Sequence, residues 1–303
     1  MTGLWLPRFA CPDCREPVAD AGDVLTCRSC GARFGPRGGV YRFLTRERAT
    51  AAEPFERQYR HVREREGFRP ASPEYYRGLP SVARGDRHAG VWRLRRESFA
   101  HLVRHAQRAQ ADGPLRVLDL GAGSGWLSHR LAEAGHHVVA VDRIDDEADG
   151  LGACRHYDER FAAVQADFDA LPFEPSQFDL AVFDGSLHYS PDPVATLAEA
   201  KRMLAVGGAV AVMDSPMFTR DGDGRAMVAD ERLKLEVVHG IEHAIHPGVG
   251  FLTFAALERA SAFLGLHGLF LPSRGSLGWR ARRQLARLRL GRAPAAFGLW
   301  VAQ

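Results

Sequence analysis

Val117-Leu118-Asp119-Leu120-Gly121-Ala122-Gly123-Ser124-Gly125-Trp126 decides how this chain is read. An apolar run ends in three alternating glycines, and a helical pattern opens directly after them. Glycine lets backbone approach a ligand closely, and a helix N-terminus offers unpaired N–H donors. The plain alternative is a tight strand-to-helix connection with no ligand. A dinucleotide fingerprint places two residues between its second and third glycines. Here only Ser124 separates Gly123 from Gly125, and the bulky Trp126 stands where a pyrophosphate needs room.

Toward the C-terminus, Val138-Val139-Ala140-Val141 ends in Asp142, and an acid at such a strand tip accepts hydrogen bonds from ribose hydroxyls. A third run leads to Asp167-Phe168, and a fourth, 179–184, ends at Asp184. Helical spacing over 193–204 leads through Gly207-Gly208 into a fifth run ending at Asp214. Short apolar runs alternating with helical stretches predict a mostly parallel sheet with helices on both faces. A long irregular insertion is expected at 215–252, then a helix at about 253–264 and two apolar runs, 266–272 and 297–302. Toward the N-terminus, residues 46–112 carry apolar residues at helical spacing: Phe55, Tyr59, Val62, then Val91, Leu94, Phe99, Leu102 and Val103. Pro70, Pro73, Gly78 and Pro80 interrupt them, which predicts helices joined by a loop.

LDLGAGSGWLSHRLAEAGHHVVAVD, ADFDALPF, FDLAVFDGSLHYSPDP and LAVGGAVAVMDSP follow one another over about 115–216. This ordered set resembles the class I S-adenosylmethionine-dependent methyltransferases, in particular the ubiquinone/menaquinone-biosynthesis-like branch. The resemblance implies a doubly wound, mostly parallel seven-stranded α/β sheet, closed by an antiparallel hairpin from 266–272 and 297–302. It implies S-adenosylmethionine as cofactor, with Gly121, Gly123 and Gly125 cradling its methionine part. Asp119 would meet the cofactor ammonium directly or through the loop, Asp142 the ribose and Asp167 the adenine amino group, with Phe168 completing the set. Asp184-Gly185-Ser186-Leu187-His188-Tyr189 would lie beside the transferred methyl group. As catalytic candidates, His188 removes a proton near neutral pH or caps the loop over the cofactor, and Asp184 holds an amine or shapes the loop. Tyr189 reads as a wall residue.

Cys11-Pro12-Asp13-Cys14 and Cys27-Arg28-Ser29-Cys30-Gly31 are two knuckles separated by twelve residues. Four thiolates complete a tetrahedral Zn²⁺ site with no open position, hence a structural one. So short a unit needs metal to fold. Cys154 reads as a small buried residue. The chain therefore divides into a zinc ribbon at 1–45, a helical cover at 46–112, and a sheet domain at 113–303 with its insertion at 215–252. If the sheet domain is independent, cofactor binding is expected to survive loss of the ribbon.

Among 303 residues, 46% are hydrophobic and 25% charged, the net charge is +3, and only Lys201 and Lys234 are lysines. No apolar run approaches a membrane span and no signal peptide opens the sequence, which points to the cytoplasm. So small a charge does not demand a nucleic-acid partner. The expected acceptor is a small organic metabolite. The cover and the insertion together are expected to roof its pocket over His188, with Tyr59, Tyr75, Tyr76, Trp92, Met217 and Phe218 as apolar walls. The alternative is an RNA base, since a zinc ribbon ahead of such a domain resembles the large-subunit rRNA guanine methyltransferases. Two weaker signals stand apart. His239, Glu242 and His243 fit an inverted zinc-peptidase pattern, but Gly240 inside it argues for the side and end of an insertion helix. Residues 274–292 carry seven arginines and no acid, which suits RNA phosphate, anionic lipid, an acidic acceptor or plain solvation.

Overall fold

A computed structural model describes residues 4–20, 24–68, 72–109, 113–158 and 160–303; Pro70 and the end of the expected cover, 110–112, lie outside them. The centre is a parallel group, β5 (Arg116–Leu120), β6 (His137–Asp142), β7 (Ala162–Gln165), β8 (Phe178–Asp184) and β9 (Leu204–Met213). β12 (Gly268–Pro272) and β13 (Gly298–Ala302) close it, with β13 antiparallel to both β12 and β9. The order β7-β6-β5-β8-β9-β13-β12 is the seven-stranded sheet expected above. Strand alternation feeds two cores. Leu118, Leu120, Val210 and Val212 face α5 (Pro193–Met203) and α7 (Phe254–Phe263). Val117, Ala209, Ala211 and Met213 face α3 (Ala89–Ala109) and α4 (Trp126–Glu133). Helices on both faces make the sheet doubly wound. Capping residues set helix starts: Asp192 accepts from the Val194 and Ala195 amides ahead of α5, and Thr253 accepts from Ala256 ahead of α7.

The cysteine-rich N-terminus builds onto this sheet. β1 (Val18–Asp20), β2 (Leu25–Cys27), β3 (Arg33–Arg37) and β4 (Val40–Arg42) form an antiparallel meander, and β4 pairs parallel with β7. One sheet of eleven strands results. Leu25 and Phe43 enter the same core as Phe173 and Phe178, and Phe9 stacks 4.9 Å from Phe43. The ribbon thus shares a hydrophobic core with the sheet domain rather than standing off on a linker.

The cover holds three helices where a loop between two was expected: α1 (Arg46–Glu66), α2 (Pro73–Gly78) and α3. Pro73 sits in the first turn of α2, where its missing N–H costs nothing. The insertion is more regular than its sequence suggested. It contains β10 (Met217–Phe218), paired with β11 (Leu252–Thr253), and a helix, α6 (Asp221–His239). Gly240, left-handed at φ +70°, ends α6, so His239 and His243 do not share a helix. Among the described residues, the single His/Cys/Asp/Glu group arranged to hold a metal is the four N-terminal cysteines.

Candidate active site

β5 and β8 deliver the site at their carboxyl ends. After Leu120 the chain turns through Gly121 and Gly123 at φ +77° and +53°, a region where only glycine is free of strain. A Cβ on Gly121 would lie 2.3 Å from the Ser186 Cβ, so the turn can press against the loop after β8 only as glycine. Ser186 locks that contact by donating to the Leu120 carbonyl at 2.5 Å. A Cβ on Gly123 would meet nothing within 4 Å; it would project into open space. Gly125 serves packing instead, since its Cβ would run into Phe161.

That open space is a cavity partly open to solvent. Its floor is Gly121, Ala122, Gly123 and Ser124, with Asp142, Arg143 and Ile144 beyond β6 and Phe168 beyond β7. Asp142 accepts from the Gly123 amide at 2.8 Å and from the Ile144 amide at 2.8 Å, tying the turn to the loop after β6. Its burial raises its pKa all the same. The far wall comes from the cover: Phe55 and Tyr59 of α1, Tyr75 and Tyr76 of α2, Trp92 and Arg95 of α3. Arg63 of α1 lines it too, held by a two-pronged pair to Asp149 at 2.6 and 2.8 Å and lying 3.7 Å over the Phe68 ring.

Asp184 and Arg95 complete the cavity from opposite elements. The Trp126 indole donates to Asp184 Oδ2 at 2.9 Å, while Asp184 Oδ1 is buried with no hydrogen-bond partner among the described residues. Burial raises the Asp184 pKa, and the Arg95 charge opposes that rise. The Arg95 guanidinium lies 4.9 Å over the Trp92 ring, with no ion pair or hydrogen bond among the described residues. Both groups therefore face the one cavity, each with unused bonding capacity. Arg95 also lines a second cleft between α3 and the helix after β12, beside Asp214. Burial, then the charge of Asp184, pushes Asp214 up to about 7.

Several expected site residues stand off this cavity. Asp119 is fully buried beneath the turn, accepts from Ser128 at 2.8 Å and does not line it. Burial, with Asp184 and Asp142 adding repulsion, pushes Asp119 up to about 8. Asp167 sits between Arg48 at 3.4 Å and Arg143 at 3.7 Å, outside the lining, and it is Phe168 that faces inward. His188 does not reach the cavity: its Nδ1 is 3.1 Å from Ser215 Oγ, and its neighbour Tyr189 takes the wall. Burial and the Arg95 charge pull His188 down to about 4, which makes it a weak base. No residue of 215–252 lines the cavity, and Met217 and Phe218 are core residues. The insertion reaches the site indirectly by bracing α1, through Lys234 to Glu66 at 2.5 Å and Gln58 to the Ile245 carbonyl at 2.9 Å. The lining residues that sequence reasoning missed are Arg63, Asp149 and Arg95.

At the N-terminus, the sulfur pairs Cys11–Cys30, Cys14–Cys27 and Cys14–Cys30 are 3.7, 3.3 and 3.8 Å apart, and all four lie within 4.8 Å of one another. A tetrahedron with Zn–S bonds of ~2.3 Å puts its sulfurs ~3.8 Å apart, so the geometry fits zinc. Each knuckle closes on a left-handed residue, Arg15 at φ +62° and Gly31 at φ +73°, whose amides bond the carbonyls of Cys11 and Cys27.

A glycine turn at the head of the central strand, an acid at the tip of the next, and a sheet closed by an antiparallel hairpin define a class I methyltransferase fold. The methyltransferase domain family matches residues 118–212 of this chain. Malonyl-[acyl-carrier protein] O-methyltransferase of Erwinia billingiae is 33% identical over 128 residues, 41% of this chain and 46% of that one. Ubiquinone biosynthesis O-methyltransferase of Xylella fastidiosa is 35% identical over 98 residues, 31% and 39% of the two chains. The chain thus spans less than half the length of these curated relatives. Among solved structures it is similar to magnesium protoporphyrin IX methyltransferase of Synechocystis PCC 6803. That match has 12% identity and a TM-score of 0.49, over 80% of this chain and 95% of the other.

Proposed function

We propose that this chain transfers a methyl group from S-adenosylmethionine to a small organic acceptor. One observation carries the reading: the glycine turn and Asp142 open into the same cavity as an aromatic wall supplied by α1, α2 and α3. The residues present fit the cofactor. Gly123 leaves room that a Cβ would fill, Asp142 and Phe168 suit a nucleoside, and Asp184 Oδ1 is an unpartnered acceptor. When bound, the cofactor supplies an electrophilic methyl group on sulfur. Arg95 and Asp184 hold the two charges of its amino-acid part, while Phe55, Tyr59 and Tyr189 exclude water and orient the acceptor. His188 acts as a positioning residue, fastening the loop after β8 to Ser215. Its replacement by Asn is expected to leave the pH profile of methyl transfer in place while lowering its rate.

The named relatives are a malonyl-[acyl-carrier protein] O-methyltransferase and a ubiquinone biosynthesis O-methyltransferase, which supports an organic acceptor over a nucleic acid. The four cysteines are proposed to hold one Zn²⁺. The deciding experiment gives the enzyme methyl-labelled cofactor with total RNA, or with a low-mass organic extract. Label in the organic fraction is expected; label confined to RNA overturns the reading.

A further inference from the structure

α8 (Leu277–Leu290) presents an outward face that the fold does not use. Its inner side is Trp279, Arg283 and Ala286, the three half-buried positions of the helix. Arg283 lies 4.3 Å over the Trp279 ring and donates to the Ala295 carbonyl, which fixes the helix to the body. Ser276 caps its start, accepting from the Trp279 amide at 3.2 Å. The outer side carries Leu277, Leu285 and Leu288, exposed by 79%, 66% and 83%. With Ala281 they form one stripe at i, i+4, i+8 and i+11. A period of about 3.6 residues sets Arg280 and Arg287 along one edge of that stripe and Arg282 and Arg289 along the other.

We propose that α8 docks the protein on an anionic lipid surface, lying in the interface with its leucines down and its arginines at the headgroups. The charge pattern selects the partner. No acid occurs between 274 and 292. Among the described residues, Arg280, Arg282 and Arg289 make no ion pair or hydrogen bond. Arg287 feels Asp223 without pairing to it. An apolar stripe between two basic edges matches acyl chains beneath phosphates, whereas RNA would neutralise the arginines and leave three leucines in water. None of the described helices is long and apolar enough to cross a membrane, so the mode is lying on the surface.

Flotation of the full chain with phosphatidylcholine vesicles, with and without a quarter of phosphatidylglycerol, tests this. Binding is expected only with the anionic lipid and weakens as salt rises. Replacing Arg282 and Arg289 by Gln should cost about fivefold per arginine. Replacing Leu285 and Leu288 by Ser, with charge unchanged, should cost roughly tenfold or more. All four side chains are exposed, so the melting temperature should hold and report an intact fold. Equal binding to both vesicles, or none, overturns the proposal. So does binding insensitive to the leucines alongside tight salt-sensitive RNA binding, or a concentration-dependent dimer that the serine variant abolishes.

Discussion

Arg42, the last residue of β4, reaches out of the ribbon to pair with Asp145 in the loop that follows β6. The same guanidinium bonds Gln165 at 2.7 Å. That loop supplies Arg143, Ile144 and Asp149 to the cavity, and Asp142 stands at its start. The ribbon's sheet edge therefore props the Asp142 side of the cavity.

Loss of the proposed zinc site should accordingly be felt at the proposed cofactor site. Cys27→Ser, or chelation, is expected to weaken S-adenosylhomocysteine binding by about tenfold or more, some 1.4 kcal/mol. Arg42→Ala should do far less, because its pair with Asp145 is roughly a third exposed on each side and worth under about 1 kcal/mol. Calorimetry on both variants is the check. Undiminished affinity in zinc-free protein would show the ribbon to be a passenger.

Arg95 and the unpartnered Oδ1 of Asp184 lead to a second expectation. A zwitterion between them engages both, so truncating Arg95 to Met should weaken S-adenosylhomocysteine by about 1.5–3 kcal/mol, the worth of a hydrogen bond to a charged group. Methylthioadenosine lacks the amino-acid part and should bind the variant as it binds the parent. Equal losses for the two ligands would make Arg95 a structural residue.

Asp119 allows a test by pH. Its folded-state pKa of about 8 stands above the ordinary 3.8, so the folded chain holds a proton that the unfolded chain releases between those values. Its contribution to stability is full below about pH 4 and declines as pH rises toward about 8. Asp119→Asn can still accept from Ser128 and has no such decline. The melting temperature of the variant should therefore gain on the parent as pH goes from about 5 to about 8. A gap that stays constant or moves the other way contradicts the assignment.

Much of this is legible in the sequence. The alternation of apolar runs and helical spacing carried the sheet, and two CxxC pairs carried the cysteine cluster, because local pattern determines both. The cavity wall was not legible in the same way. Arg63 meets Asp149 across 86 positions, and Ser186 meets Gly121 only because β8 lies beside β5. Of α6 the sequence shows only the end at His239-Gly240, because its apolar pattern misleads: Leu233, Val237 and Val238 are exposed by 59%, 74% and 54%, and no side chain caps its start. His188 was the harder case. A three-residue helical turn at Leu187–Tyr189 decides which neighbouring ring enters the cavity, and composition does not encode that.

The glycines of the turn separate folding from binding. Alanine in the left-handed region costs about 1–2 kcal/mol at either Gly121 or Gly123. At Gly121 the added Cβ also collides with Ser186 in a buried contact, so Gly121→Ala should lose clearly more stability than Gly123→Ala. At Gly123 the Cβ finds space, but it is the space proposed for the cofactor. Gly123→Ala should therefore fold with a modest drop in melting temperature and yet bind S-adenosylhomocysteine at least about tenfold more weakly, a 1.4 kcal/mol effect. Denaturation and calorimetry on the pair read the two effects apart. Full binding by a folded Gly123→Ala variant would move the cofactor off the turn and leave the glycines as a strand-to-helix connection alone.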